Sequence, residues 1–217
     1  MSGLLRPSDV GGFRPSISLR DIMRIGLVSD LHCNVPALTR ALELLDDCDE
    51  VLCAGDLIYQ FRFSNDILTL LRERGVHSIV GNHDKSVLVT PDHPLRNSPT
   101  VNPAALAYLA SLPSRLALEL RGVRLAMFHG APWDDDAEPH AYYVYPQHRQ
   151  DMLRVAAEAD ADIIVLGHSH LPFAVEVAGK LIVNPGTCGE PCPGTGLPSC
   201  AALDTATGEV EFRPFSL

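Results

Sequence analysis

Ile25-Gly26-Leu27-Val28-Ser29-Asp30-Leu31-His32 and Val51-Leu52-Cys53-Ala54-Gly55-Asp56 are apolar runs that each end in metal-liking side chains. Short β-branched and aliphatic runs of this kind are buried-strand candidates. Three further runs share the design: Ser78-Ile79-Val80-Gly81-Asn82-His83-Asp84, Leu125-Ala126-Met127-Phe128-His129-Gly130 and Ile163-Ile164-Val165-Leu166-Gly167-His168-Ser169-His170. In open α/β sheets, ligands bind just beyond the carboxyl ends of the strands. Five tips pointing one way therefore bring two Asp, one Asn and up to five His into one crevice. Asp30 to Asp56 is 26 residues and Asp56 to Asn82 is 26 again, the span of one strand–helix repeat. Equal spacing sets all three at one height on adjacent parallel strands.

Outward from these runs, the first half alternates strands at 24–29, 50–54 and 76–80 with helices near 36–46 and 64–74. Ser64 is the expected N-cap of the second helix and Gly75 its stop. Residues 91–103 hold four prolines and read as a surface loop before a helix near 103–111. Beyond Pro113 the pattern turns to hairpins: 116–120 with 123–128 about Arg121-Gly122, 173–177 with 181–184 about Ala178-Gly179, and 200–204 with 209–213. A loop over 131–146 and a helix near 147–159 separate the first two hairpins. The pattern predicts an α/β fold of two packed sheets with helices on both outer faces, a single domain over 23–217. Residues 1–22 read as a loose N-terminal extension without the apolar core of a secretory signal. Met23, just before the first strand, is the expected natural start.

The chain has 217 residues, 46% of them hydrophobic and 20% charged, which suits one folded enzyme domain. No apolar run approaches the ~20 residues of a membrane span, so no membrane partner is expected. A formal net charge of −10 without a Lys/Arg cluster excludes stable nucleic-acid binding. The same acidity repels a phosphate substrate unless bound divalent cations invert the local field. The six cysteines, without a signal peptide, read as reduced thiols, and a cytoplasmic location is expected. Cys188, Cys192 and Cys200 lack the paired knuckles of structural zinc.

Asp30 and His32 offer a hard oxygen and an imidazole from one strand tip. The two oxygens of Asp56 can bridge two cations, and Asn82 adds a neutral carbonyl oxygen. With His129, His168 and His170 these make seven oxygen and nitrogen ligands and no thiolate. Such a set suits Mn²⁺, Fe, Ni, Co or Zn and is a poor match for Ca²⁺, Cu(I) or iron–sulfur clusters. Two divalent ions ~3.5–4 Å apart can share a hydroxide and clamp the attacking and leaving oxygens of an in-line displacement at phosphorus. His83 is the candidate proton donor to the leaving alkoxide, with Asp84 expected to orient its ring. His77, His93, His140 and His148 lack such placement and read as structural. Pro132-Trp133-Asp134 and Tyr142-Tyr143-Val144-Tyr145 follow His129, and an aromatic wall there, with Trp133 as candidate contact, could stack a nucleobase or an aryl group. Arg62 is a candidate phosphate contact.

The order Asp-x-His, Gly-Asp, Gly-Asn-His-Asp, His-Gly, Gly-His-Ser-His and then Asn184-Pro185-Gly186-Thr187 resembles the calcineurin-like metallophosphoesterase superfamily. The likeness is strongest to its small prokaryotic phosphodiesterases and runs from about residue 23 onward. It implies the four-layer α/β/β/α sandwich of metallo-dependent phosphatases. It also implies two divalent ions, manganese first: one on Asp30, His32, Asp56 and His170, the other on Asp56, Asn82, His129 and His168. His83 would act near the leaving group of a small phosphodiester, with monoesters a further substrate. Two departures stand out. Cys33 replaces the glycine common after Asp-x-His, although Asn34, a candidate substrate contact, is kept. The segment Leu57–Arg62 lacks the Gly- and Pro-rich stretch of relatives. A non-catalytic scaffold of the same fold and a protein phosphatase are the alternatives, and the presence of His83 weighs against the scaffold. Oligomeric state is left open, a homodimer included.

Overall fold

Strand alternation sorts the apolar side chains among three layers of core. In β1 (Arg24–Val28), Ile25 and Leu27 turn to one face and Val28 to the other; in β2 (Glu50–Cys53), Leu52 and Cys53 divide in the same way. The computed structural model describes residues 23–217, so the expected extension over 1–22 lies outside the described residues. β1, β2 and the short β3 (His77–Ser78) run parallel, and β9 (Ser199–Asp204) and β10 (Val210–Pro214) complete the first sheet in the order β10-β9-β1-β2-β3. The second sheet is built from β4 (Arg115–Leu120), β5 (Val123–Phe128), β6 (Ile163–Val165), β7 (Phe173–Val177) and β8 (Lys180–Asn184). Its order is β4-β5-β6-β8-β7, parallel at its centre and antiparallel at both edges.

Ile25, Leu27, Leu52, Met127, Val165 and Val183 fill the space between the sheets. On the outer face of the first sheet lie α1 (Val35–Leu44), α2 (Asn65–Glu73) and α4 (Pro103–Ser111), seated on Leu38, Leu68, Leu71 and Leu109. On the outer face of the second, α5 (Arg149–Glu158) packs Met152, Val155 and Ala156 against Ile164 and Ile182. The result is the four-layer α/β/β/α sandwich. Ser64 caps α2 by accepting from the Ile67 N–H at 3.3 Å. The hairpin turns hold Arg121-Gly122 and Ala178-Gly179 with positive φ at both central residues, the twist two-residue hairpins favour.

Two elements depart from the expected pattern. β3 ends at Ser78 rather than at residue 80, because the Val80 N–H leaves the sheet and donates to Pro113 O at 2.9 Å. Asn82–Val89 then form a helix, α3, where none was expected. Its buried residues are Asp84, Lys85 and Val87, which is no apolar stripe, so periodicity carries no signal for it. No helix of the described residues is long and apolar enough to cross a membrane.

Candidate metal centre

The parallel register of β1 and β2 continues past both strand ends. The Asp30 N–H donates to Gly55 O and the His32 N–H to Asp56 O, each at 3.0 Å, which sets these tips side by side. On the second sheet the Gly167 N–H donates to His129 O at 2.9 Å, joining the tips of β5 and β6. Two bonds cross between the sheets: the His168 N–H donates to Asp30 Oδ2 at 3.1 Å, and His129 Nδ1 lies 2.7 Å from Ala54 O. The expected ligands thereby gather into two donor groups, Asp30–His32–His170 and Asp56–His129–His168. In the first, His170 Nε2 is 3.3 Å from Asp30 Oδ1 and 3.1 Å from His32 Nε2. In the second, His129 Nε2 is 3.3 Å from Asp56 Oδ2 and 2.9 Å from Asn82 Oδ1. His83 Nε2 lies 3.9 Å from Asp56 Oδ2 and forms a third such group with His32 and Asp56.

Backbone strain is concentrated here. Asp30, His32, Asp56, His168 and His170 all have φ between 45° and 63°, the left-handed region that non-glycine residues avoid. Each costs about 1–2 kcal/mol and persists only where the surroundings impose it. Cys33, at φ 66°, shares that conformation, one that a glycine would adopt freely. The loop after β8 supplies much of the restraint. Asn184 Nδ2 donates to Gly167 O at 2.6 Å, and Thr187 Oγ1 donates to Asp30 O at 3.0 Å. The Cys188 and Gly189 N–H groups donate to Ser29 O and Asp30 O at 2.8 and 2.9 Å. Close approach does the rest: a Cβ on Gly81 would stand 2.2 Å from Asp56 Oδ1.

The residues fit divalent cations. Among the described residues, Asp30 Oδ1, His32 Nδ1, His83 Nδ1 and His168 Nε2 are buried polar atoms with no hydrogen-bond partner, and all four side chains belong to this site. An unsatisfied buried group costs about 1–3 kcal/mol, and a bound cation would relieve Asp30 Oδ1 and His168 Nε2. Oxygen and imidazole donors without thiolate suit first-row divalent metals. The local field also draws positive charge. Burial opposes protonation of His129, yet the charge of Asp56 and its hydrogen bond push it up to about 10. Burial likewise opposes His170, and the adjacent Asp30 carboxylate still raises it. His168, by contrast, is held down to about 4 by burial and by the charge of His129. Asp30 and Asp56 stay below the usual carboxylate range despite burial, through His170 and His129 respectively.

The remaining expected site residues take other positions. Asp84 does not orient His83: its carboxylate accepts from the N–H groups of Leu57, Ile58 and Gly81 at 3.1, 3.0 and 2.8 Å. It thus pins the chain after Asp56 to the start of α3, because three buried donors converge where α3 begins. Asn34 caps α1, accepting from the Ala37 N–H at 3.2 Å, and donates to Gly189 O at 2.8 Å. Arg62 is exposed and donates to His32 O at 2.6 Å. Trp133 is half-buried, with the Arg154 guanidinium 4.0 Å above its ring and Tyr142 against it edge-on. The aromatic ring beside the donors is Tyr143, stacked on His168 at 3.9 Å. Tyr59, not singled out in the sequence, lies 4.5 Å from His83; its only signal there was its position three residues after Asp56. Glu190, also missed, places a carboxylate oxygen 3.7 Å from His170 Nδ1.

Residues 23–208 match the family model of the calcineurin-like phosphoesterase superfamily domain. A probable metallophosphoesterase of Methanothermobacter thermautotrophicus is 28% identical over 170 residues, covering 76% of this chain and 77% of that protein. A phosphodiesterase of Methanocaldococcus jannaschii is 24% identical, covering 86% of this chain and 96% of its own. The crystal structure of a metallophosphoesterase from Sphaerobacter thermophilus superposes with a TM-score of 0.73 at 23% identity, covering 90% of this chain and 88% of that one.

Proposed function

The chain belongs to the calcineurin-like phosphoesterase superfamily, and from that premise we propose that it hydrolyses small phosphodiesters at a centre of two divalent ions, manganese first among them. The observation that carries this reading is the setting of Asp56, whose carboxylate borders both His129 and His83 while Asp30, His32 and His170 form a second donor group beside it. Asp30, His32, Asp56 and His170 would hold one ion; Asp56, Asn82, His129 and His168 would hold the other. When bound, such ions polarise phosphoryl oxygens and lower the pKa of water.

The chain's own residues supply the rest. The contact of His129 Nδ1 with Ala54 O fixes that ring and leaves Nε2 for a cation. The His83 N–H donates to Asp56 Oδ1 at 2.9 Å, which ties the proton donor's backbone to the carboxylate at the middle of the centre. The ring packs on Tyr59, so Nε2 is presented toward Asp56 and can pass a proton to a departing oxygen. The name of the M. jannaschii relative favours a diester over a monoester. Hydrolysis of bis-p-nitrophenyl phosphate against p-nitrophenyl phosphate tests the reading, with Mn²⁺ and after chelation. Diester turnover that needs Mn²⁺ and is lost in Asp56→Asn is expected. Activity indifferent to chelation and to Asp56→Asn would overturn it.

A further inference from the structure

Aromatic rings border the donor set at two places. Tyr143 lies on His168 with ring centroids 3.9 Å apart and planes 27° apart, and it stays 53% exposed. Tyr145 is parallel to it, 6.0 Å away. At the other place Tyr59 packs on His83 at 4.5 Å and meets His32 edge-on at 5.7 Å. Phe61 stands 5.8 Å beyond Tyr59 and is 74% exposed. That exposure is imposed by the backbone. Tyr59 and Arg62 exchange N–H···O bonds of 3.1 and 2.9 Å across a tight turn, which leaves Phe61 at its tip. The Arg62 guanidinium then fastens the turn to His32 O. Neither Phe61 nor Tyr143 belongs to the three core clusters, so core packing does not account for their placement.

We propose that these rings select a phosphodiester bearing planar aromatic groups, a nucleobase or an aryl ring, an inference that rests on the phosphodiesterase reading above. His83, the donor to the leaving oxygen, lies against Tyr59, so the Tyr59–Phe61 wall faces the departing group. Tyr143, on His168, takes the ring of the substituent that stays on phosphorus. Stacking on an aromatic side chain tolerates any base, since every base has a π-face. The walls therefore select for a ring and not for one base, and the acidic chain needs no basic groove to do so.

Three diesters with the same p-nitrophenolate leaving group test the Tyr143 wall: the methyl, phenyl and thymidine-5′ p-nitrophenyl phosphates, with the Mn²⁺-loaded full chain. The phenyl and thymidine esters are expected to exceed the methyl ester in kcat/KM by about tenfold, near the low end of base–aromatic stacking. Tyr143→Ala should collapse that ratio toward one, and Tyr143→Phe should keep it. Preference for the thymidine ester alone would overturn selection for rings in general. A Tyr143→Ala ratio equal to wild type, with all esters slowed in parallel, would show that Tyr143 only supports His168 and would overturn the proposal. Calorimetry with thymidine 5′-monophosphate and methyl phosphate separates the two readings. Tighter nucleotide binding by about tenfold, lost in Tyr143→Ala, supports stacking whatever the turnover. Equal binding overturns stacking, whereas failure to turn over any ester overturns the phosphodiesterase reading instead.

Discussion

The two sheets bring different chemistry to one seam. The first supplies Asp30, His32, Asp56 and, at the start of α3, Asn82, so it carries every oxygen donor; the second supplies His129, His168 and His170, imidazoles alone. The groups Asp30–His32–His170 and Asp56–His129–His168 each need both sheets, whereas His32, Asp56 and His83 gather on the first sheet's side alone. The difference teaches that the candidate centre is a junction between layers.

The first sheet's side also carries His83, the proposed proton donor, and removing it should produce the largest effect. His83→Ala is expected to slow turnover of a diester with an alkoxide leaving group by about 10²–10⁴. With p-nitrophenolate, which departs unprotonated, the loss should be much smaller. Equal losses for the two leaving groups, measured as kcat with saturating metal, would remove His83 from that role. Next comes the support behind the oxygen donors. Ser29 Oγ donates to Asp30 Oδ2 at 2.6 Å, and Ser29→Ala should weaken Mn²⁺ binding about 10–100-fold by titration. Unchanged affinity would show that the strained tip holds Asp30 without it.

Metal removal tests the junction itself. At 100 times its dissociation constant, an ion that binds only the folded chain adds about 2.7 kcal/mol. Chelation should then lower Tm by roughly 5–10 °C for a chain of this size. An unchanged Tm would mean that bound ions add nothing to the joining of the sheets. The smallest effect is expected on the first sheet far from the seam, where Arg213 of β10 pairs with Asp47 at 2.8 Å. The hydrogen bond from Arg213 holds the Asp47 carboxyl down to about 2, below its ordinary 3.8. Its stabilisation is present above the unfolded value and is lost as pH falls from about 4 toward 2. Because the side chain of Asp47 is 41% exposed, solvent screening keeps the contribution under about 1 kcal/mol. Urea unfolding of Asp47→Asn should show a small deficit at pH 7 that shrinks, without vanishing, at pH 2.5.

Much of this arrangement was legible because spacing and strand tips are sequence properties. The 26-residue interval from Asp30 to Asp56 reflects a full strand–helix repeat, and the backbone bonds from Asp30 to Gly55 and from His32 to Asp56 hold that register. The equal interval to Asn82 gave proximity for a different reason. β3 stops at Ser78, and Asn82 arrives on the first turn of a helix with no apolar stripe to announce it. The role of Asp84 was hidden for the same reason, since its three N–H partners belong to Leu57, Ile58 and Gly81. Left-handed backbone at five candidate ligands is not legible from residue type, because most aspartates and histidines still have negative φ. Tyr143 and Tyr59 were invisible as neighbours of His168 and His83 because loop paths decide such contacts.

Anomalous diffraction at the manganese edge, from crystals grown with excess Mn²⁺, tests the shared centre most directly. Two peaks about 3.5–4 Å apart are expected, with the Asp56 carboxylate reaching both, His170 on one and His168 on the other. A single peak, or two peaks of which Asp56 touches only one, would contradict a dinuclear centre built across the sheets.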